Sequence, residues 1–151
     1  MSYLLVSIGV KKDISSILLM KDGRLIKKDV VRIKDEHILS SNYLCLIDSF
    51  ARSLRLVRQQ LEKDDTFDRT VVFEVNISRF IKWMDDGYSK DAYQKEFMEA
   101  LDLLQELPIK YNISFTTVTK AYAYAHEKYL SKVKMSGLDL SVDDEEGDSL
   151  C

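Results

Sequence analysis

RTVVFEVNISRF, residues Arg69–Phe80, is the stretch whose reading decides the fold. Val71, Val72, Phe73 and Val75 form a short β-branched and aromatic run, the composition of a buried strand. Glu74 stands inside that run. A carboxylate near the end of a buried strand costs several kcal/mol unless it is paired, hydrogen-bonded or close to water. Glu74 is therefore expected either at the mouth of a cleft or as an acid satisfied by structural partners. Asn76 and Ser78 offer side-chain caps for the segment that follows.

Working outward, Tyr43–Lys63 carries Leu44, Ile47, Ala51, Leu54, Val57 and Leu61 at helical spacing, a stripe of about six turns, with Ser40, Ser41 or Asn42 available as its cap. Before it, Ser2–Val10, Ile14–Met20 and Leu25–Ile33 read as three strands joined by polar turns. Asp22-Gly23 supplies the positive φ that a tight hairpin needs. Residues 34–42 read as a connector. On the other side, Phe80, Trp83 and Met84 are expected to pack the chain back onto the sheet, and Asp85-Asp86-Gly87 is a turn signal. Ser89 or Asp91 can cap a helix that runs to about Leu107 and is stopped by Pro108. Tyr93, Phe97, Ala100, Leu101 and Leu104 lie on one face of it. Ile113–Val118 reads as the fifth strand and Thr119–Val133 as the last helix. The order β-β-β-α-β-α-β-α predicts an α/β fold, a mixed five-stranded sheet flanked by helices with right-handed crossovers. The expected core includes Val6, Ile17, Leu54, Val72, Phe73, Phe97, Leu101 and Phe115.

The chain has 151 residues, with 46% apolar and 31% charged. That describes one globular domain long enough to bury a full core. No apolar run is long enough to span a bilayer, and the first residues read as a strand rather than a secretion leader. Cys45 and Cys151 suggest no disulfide framework, so a cytoplasmic, reducing compartment is expected. With His37 and His126 they lack the spacing of a zinc site. The net charge of −3 is uneven: six of the 25 acidic residues follow Lys134, where no basic residue occurs, leaving 19 against 22 basic residues over positions 1–134. The expectation is a mildly basic domain over residues 1–134 and a disordered acidic tail over residues 135–151.

The element order resembles that of the ribonuclease H-like superfamily, which includes ribonuclease H and the RuvC-type Holliday-junction resolvases, over roughly residues 2–133. LLVSIGV, Leu4–Val10, is similar to the first strand of the resolvases, and VVFEVNISRF, Val71–Phe80, to their fourth. The resemblance implies about four carboxylates around two divalent metals. Here the first-strand acid falls on Ser7. The last-helix acids fall on Ala123 and His126, with Glu127 one residue aside. Glu74 remains, with Asp48 and Glu127 as the other candidates for catalysis. The resemblance with these departures implies a member that no longer cuts, without metal or other cofactor, Mg²⁺ being required only if the chain were a divergent nuclease.

Lys11, Lys12, Lys27 and Lys28 on the hairpin strands, and Arg52, Arg55 and Arg58 at every third position of the first long helix, are the candidate phosphate contacts. The alternative is an ordinary solvated face with lysines guarding an edge strand. Tyr122, Tyr124 and Tyr129, with Tyr111 before the fifth strand, would stack bases if exposed, but read rather as core residues with their hydroxyls at the rim. His126 reads as a polar helix residue. The expected function is a non-catalytic module binding DNA or RNA, with the tail serving autoinhibition or docking of a protein partner. A protein-interaction regulator of a nucleic-acid machine and a divergent metal-dependent nuclease are the alternatives.

Overall fold

The computed structural model describes residues 3–64 and 69–135. The acidic tail expected over residues 135–151 falls outside the described residues except for the backbone of Met135. Strands β1 (Leu4–Lys11), β2 (Ile14–Lys21) and β3 (Arg24–Arg32) form the antiparallel meander. Asp22 and Gly23 both have positive φ, 51° and 76°, as the dipeptide predicts. Helix α1 (Glu36–Leu39) follows, with the Asp35 carboxylate accepting the His37 and Ile38 N–H groups at 2.9 and 3.3 Å. Residues 34–42 read as a connector because four helical residues are too few to show a period. Helix α2 (Asn42–Lys63) is capped by Ser41, whose hydroxyl accepts the Tyr43 N–H at 3.1 Å.

Strand β4 (Thr70–Val75) then enters beside β1, parallel, with Leu4 opposite Val71 and Ser7 opposite Glu74. Helix α3 (Ser78–Asp86) ends on Gly87 at φ 71°, the left-handed position that favours glycine. A 3-10 turn at Asp91–Tyr93 leads into α4 (Gln94–Gln105). Strand β5 (Lys110–Phe115) lies parallel to β4, and α5 (Lys120–Met135) closes the described chain. The sheet order is β3-β2-β1-β4-β5. The mixed five-stranded sheet expected from the sequence is present, with β1, β4 and β5 mutually parallel.

Several local readings change. The sequence predicts one helix between β4 and β5, and α3 and α4 stand there. Neither Asn76 nor Ser78 caps α3, whose first position is held by Ile77 without a side-chain bond. Ser89 is not a helix cap either: its N–H and hydroxyl both donate to the Gln94 side-chain oxygen, at 2.8 and 3.0 Å. Strand β5 starts three residues earlier than Ile113. The buried Leu104 and Leu107 anchor the end of α4, and the chain turns straight after Pro108 into register with Thr70. An edge strand in water carries little apolar density, so the ISFTTV run misleads.

The main core fills the layer between the sheet and α2, α3 and α4. Leu4, Val6, Ile8, Ile17, Leu19 and Phe73 of the sheet meet Leu46, Phe50, Leu54 and Val57 of α2. Phe50 lies 5.0 Å from both Phe73 and Phe80, ring centre to ring centre, and Phe97 extends the cluster at 6.1 Å from Phe80. Of the expected core, Val6, Ile17, Leu54, Phe73 and Phe97 are buried. Val72 and Leu101 are half-buried, and Phe115 is 45% exposed. Val72 pairs with Leu5 on the opposite face of the sheet, while Phe115 sits on the edge strand. Because side chains alternate along a strand, Leu4, Val6 and Ile8 of β1 enter this core, Val10 joins a smaller cluster with Ile33, Ile38, Leu44 and Cys45, and Ser7, Gly9 and Lys11 face the other side, where α5 packs. Among the described residues no helix is long and apolar enough to cross a membrane.

Candidate functional site

Ser7 and Glu74 are cross-strand neighbours at the centre of the sheet, and the first turn of α5 rests on both. The Ser7 hydroxyl donates to Glu74 Oε1 at 2.8 Å and accepts the Ala121 N–H at 2.9 Å. Glu74 Oε1 also accepts the Lys120 N–H at 2.9 Å, and Lys120 Nζ stands 3.6 Å from Oε2. Thr119 caps the helix: its hydroxyl accepts the Tyr122 N–H at 3.0 Å and donates to the Ile8 carbonyl at 2.9 Å. Next along β1 on that face, Gly9 lies flat under α5. A Cβ built there would fall 2.3 Å from the Tyr122 nitrogen.

This arrangement holds an anion at a helix N-terminus, where unpaired N–H groups and the helix dipole favour negative charge. Of the two expectations for Glu74, an acid satisfied by structural partners is the one observed. Ser7 brings no charge, and its hydroxyl is already engaged on both sides. Asp48 belongs to α2, in the layer on the opposite face of the sheet. Glu127 is exposed on α5, about 10 Å along the helix from its first residue. Among the described residues no three His, Cys, Asp or Glu side chains converge as metal ligands. The residues around Glu74 do not fit the pair of divalent ions that the resemblance implies. Replacing Glu74 with Ala is expected to lower stability by about 2 kcal/mol, the scale of hydrogen bonds to a charged group. Denaturant titration checks it.

Asp48 lines an open cleft of about 270 Å³ with Asp35, His37, Arg55, Glu96 and Glu99. Burial pushes its carboxyl above the ordinary value, against the pull of Arg52 and Arg55. His37 Nε2 lies 3.0 Å from Glu96. The neighbouring Cys45 is buried, and burial pushes its thiol up to about 11.

The candidate basic residues do not share a surface. Lys11 is 1% exposed, with its ammonium 5.5 Å from the centre of the Tyr129 ring under α5. It is an interior residue, which corrects its reading as a phosphate contact. Lys12 is half-buried in the β1–β2 turn. Arg52 turns to the sheet, donating to Asp29 at 3.2 Å and to the Ser15 carbonyl at 3.3 Å. Arg58 reaches Glu106 at 2.9 Å, and Arg55 stands at the rim of the Asp48 cleft. Lys27 and Lys28 are exposed on β3.

Lys28 has a partner that sequence reading missed: its ammonium lies 4.9 Å over the Tyr124 ring. Lys120, Tyr124 and Lys128 are all exposed at four-residue spacing on α5, so they form one stripe along the helix. That spacing is present in the sequence, but the tyrosines read as core. Tyr129 is buried, whereas Tyr124 is 37% exposed and Tyr111 is 49% exposed. Tyr122 stacks on His126, their ring centres 5.9 Å apart.

At the far end of the same stripe, Lys132 and Arg32 donate to Asp13 Oδ2 at 2.5 and 3.0 Å. Burial works to raise the Asp13 carboxyl, and the bonds from Lys132 and Arg32 outweigh it, so the carboxyl titrates below its ordinary value. A depressed carboxyl contributes stability above its unfolded pKa, about 3.9, and loses it as pH falls through the native value. The stability difference between the native chain and Asp13→Asn is therefore expected at neutral pH and to vanish in acid. Thermal melts across that range measure it.

No family model matches the chain, and no curated protein matches it in sequence. Solved structures do match in fold. Ribonuclease H1 from the halophilic archaeon Halobacterium salinarum superposes with a TM-score of 0.55 at 10% identity, covering 76% of this chain and 85% of that one. The LC11 ribonuclease H1 in complex with an RNA/DNA hybrid gives 0.58 at 12% identity, covering 77% and 85%. The LC11 enzyme isolated from compost by a metagenomic approach gives 0.54 at 11% identity, covering 83% and 90%.

Proposed function

We propose, on the premise that this chain has the ribonuclease H-like fold, that it is a nucleic-acid-binding module without two-metal cleavage. One observation carries the non-catalytic half: both oxygens of Glu74 are taken up by Ser7 and the first residue of α5. The binding half rests on the basic and aromatic stripe of Tyr124, Lys128 and Lys28, where an ammonium already sits over a ring, while Lys120 at its start is engaged by Glu74. Lysines beside an exposed tyrosine suit phosphates and an unpaired base. Lys27, next to Lys28 on β3, points to the other face of the sheet and lies outside that surface. Lys12, Arg52, Arg55 and Arg58 contribute less in this reading, since Arg52 and Arg58 are engaged by Asp29 and Glu106.

The acidic residues after Lys134 belong to the same proposal, as a competitor for the basic stripe or a handle for a protein partner. Cytoplasmic residence belongs to it too, resting on the cysteine pattern. Fluorescence anisotropy with labelled single- and double-stranded DNA and RNA at two salt concentrations tests the reading. Binding is expected in dilute salt and should tighten when residues 137–151 are removed. In Lys28→Glu/Lys128→Glu it should weaken at least tenfold, with the salt slope shallower by roughly 0.7–0.9 for each phosphate no longer neutralised. Absence of binding by either form in dilute salt refutes the binding half. Mg²⁺- or Mn²⁺-dependent cleavage that disappears in Glu74→Gln refutes the other.

A further inference from the structure

The two edges of the sheet are unlike. β3 carries Arg24, Lys27, Lys28 and Arg32 against the single acid Asp29, and such an edge resists pairing with itself. β5, Lys-Tyr-Asn-Ile-Ser-Phe, has one charged residue, at its start. Tyr111 and Phe115 are about half exposed, and among the described residues no strand lies beyond β5.

Lys110 and Thr116 donate their N–H groups inward, to the Arg69 and Val75 carbonyls at 2.9 and 3.0 Å. Backbone groups alternate in direction along a strand, so those of Tyr111, Ile113 and Phe115 point away from the sheet. Around Ile113 the sequence is balanced: polar Asn112 and Ser114 flank it, and aromatic Tyr111 and Phe115 flank them. We propose that β5 pairs antiparallel with β5 of a second copy of this chain, across a twofold axis at Ile113, to join two five-stranded sheets into one.

In that register each outward-facing residue meets an outward-facing one. Ile113 meets Ile113 of the partner subunit, and Tyr111 meets Phe115 of the partner subunit. Each such pair exchanges both of its backbone hydrogen bonds. The aromatic pair falls on the α3 side of the sheet, beside an open cleft of about 330 Å³ walled by Ile81 and Met84. Asn112 meets Ser114 on the other side. Lys110 falls opposite Thr116, so no like charges oppose each other. This self-complementarity is what an isologous contact requires.

Cross-strand aromatic pairs are favourable in sheets. Four half-exposed rings bring roughly 300–500 Å² into the contact, well short of the roughly 1,600 Å² of a standard stable interface. The dimer is accordingly weak and reversible, with a dissociation constant on the order of 100 µM.

Sedimentation equilibrium on the full chain from about 10 µM to about 1 mM brackets that value. The expected result is a monomer giving way to a dimer as concentration rises. Phe115→Lys, a surface change, should hold the chain monomeric with its melting temperature unaltered. Ile113→Pro should also hold the chain monomeric, because the N–H lost is the one facing away from β4, a position where an edge strand tolerates proline; its melting temperature should fall, since the Ile113 side chain packs against the core. The register is read by Asn112→Cys/Ser114→Cys in a Cys151→Ser background: mild oxidation should give a covalent dimer, and Asn112→Cys alone should not. A chain that stays monomeric throughout, or a dimer that persists in Phe115→Lys, overturns the proposal. If dimers form only once residues 136–151 are removed, the chain's own C-terminal segment occupies the edge and the proposal is also wrong.

Discussion

Replacing Phe50 with Ala is expected to lower the unfolding free energy by about 3–5 kcal/mol. Phe50 is fully buried at the middle of α2 and touches the two elements that most need joining. Its ring packs edge-on against Phe73 of the central β4 and against Phe80 of α3, 5.0 Å from each centre. Truncation opens a void the size of a ring between a rigid sheet and two helices, and those neighbours have little room to collapse. A domain of this size has only about 5–15 kcal/mol of stability in total. Urea titration followed by far-ultraviolet circular dichroism should show the midpoint falling with the slope unchanged. A midpoint within error of the native chain's would mean that the packing of α2 on the sheet is not as described.

Gly9→Ala should be nearly as damaging, for a different reason. A methyl at residue 9 meets the Tyr122 nitrogen at 2.3 Å and its Cα at 2.4 Å. Both atoms belong to helix backbone, so no side chain can rotate away. α5 must lift off β1, and the Thr119–Ile8, Ser7–Ala121 and Glu74–Lys120 bonds depend on that approach. Overpacking alone costs typically about 1–3 kcal/mol. Loss of the bonds adds to it, so about 4 kcal/mol is expected, with hydrogen exchange at the start of α5 accelerated more than in β4. Unchanged protection of α5 in Gly9→Ala would show that the helix does not lie this close.

The element order was readable because most of it rests on strong periodic signals. The Leu44–Leu61 stripe, the Asp-Gly hairpin and the Val71–Val75 run each describe a buried surface. What could not be read was exposed or short. β5 slipped by three residues because its outer edge faces water, and α1 has too few residues for a period. At the site, Ser7 and Glu74 both stand out in the sequence, yet the residue that completes them is the start of α5, whose contribution is backbone N–H. No side-chain pattern announces that. Lys11 misled in the other direction: a lysine in a basic stretch reads as surface until a helix is known to cover it. Tyr124 beside Lys28 joins a strand and a helix almost a hundred residues apart, a pairing that local periodicity does not encode.

The bonds that seat α5 tie Ile8 to Thr119 and Ser7 to Ala121, across sequence separations of 111 and 114 residues. During synthesis the first strand made is therefore the last to be sealed. β1 can pair with β2 early, but its outward face stays bare until the ribosome has delivered the residues around Thr119. Contacts between such distant residues close slowly, and until α5 arrives the Ser7, Gly9 and Lys11 face of β1 stays open to water. Glu74 then has a role in time as well as in place. Its carboxylate stands on β4 as the acceptor that the first turn of α5 must meet to be seated.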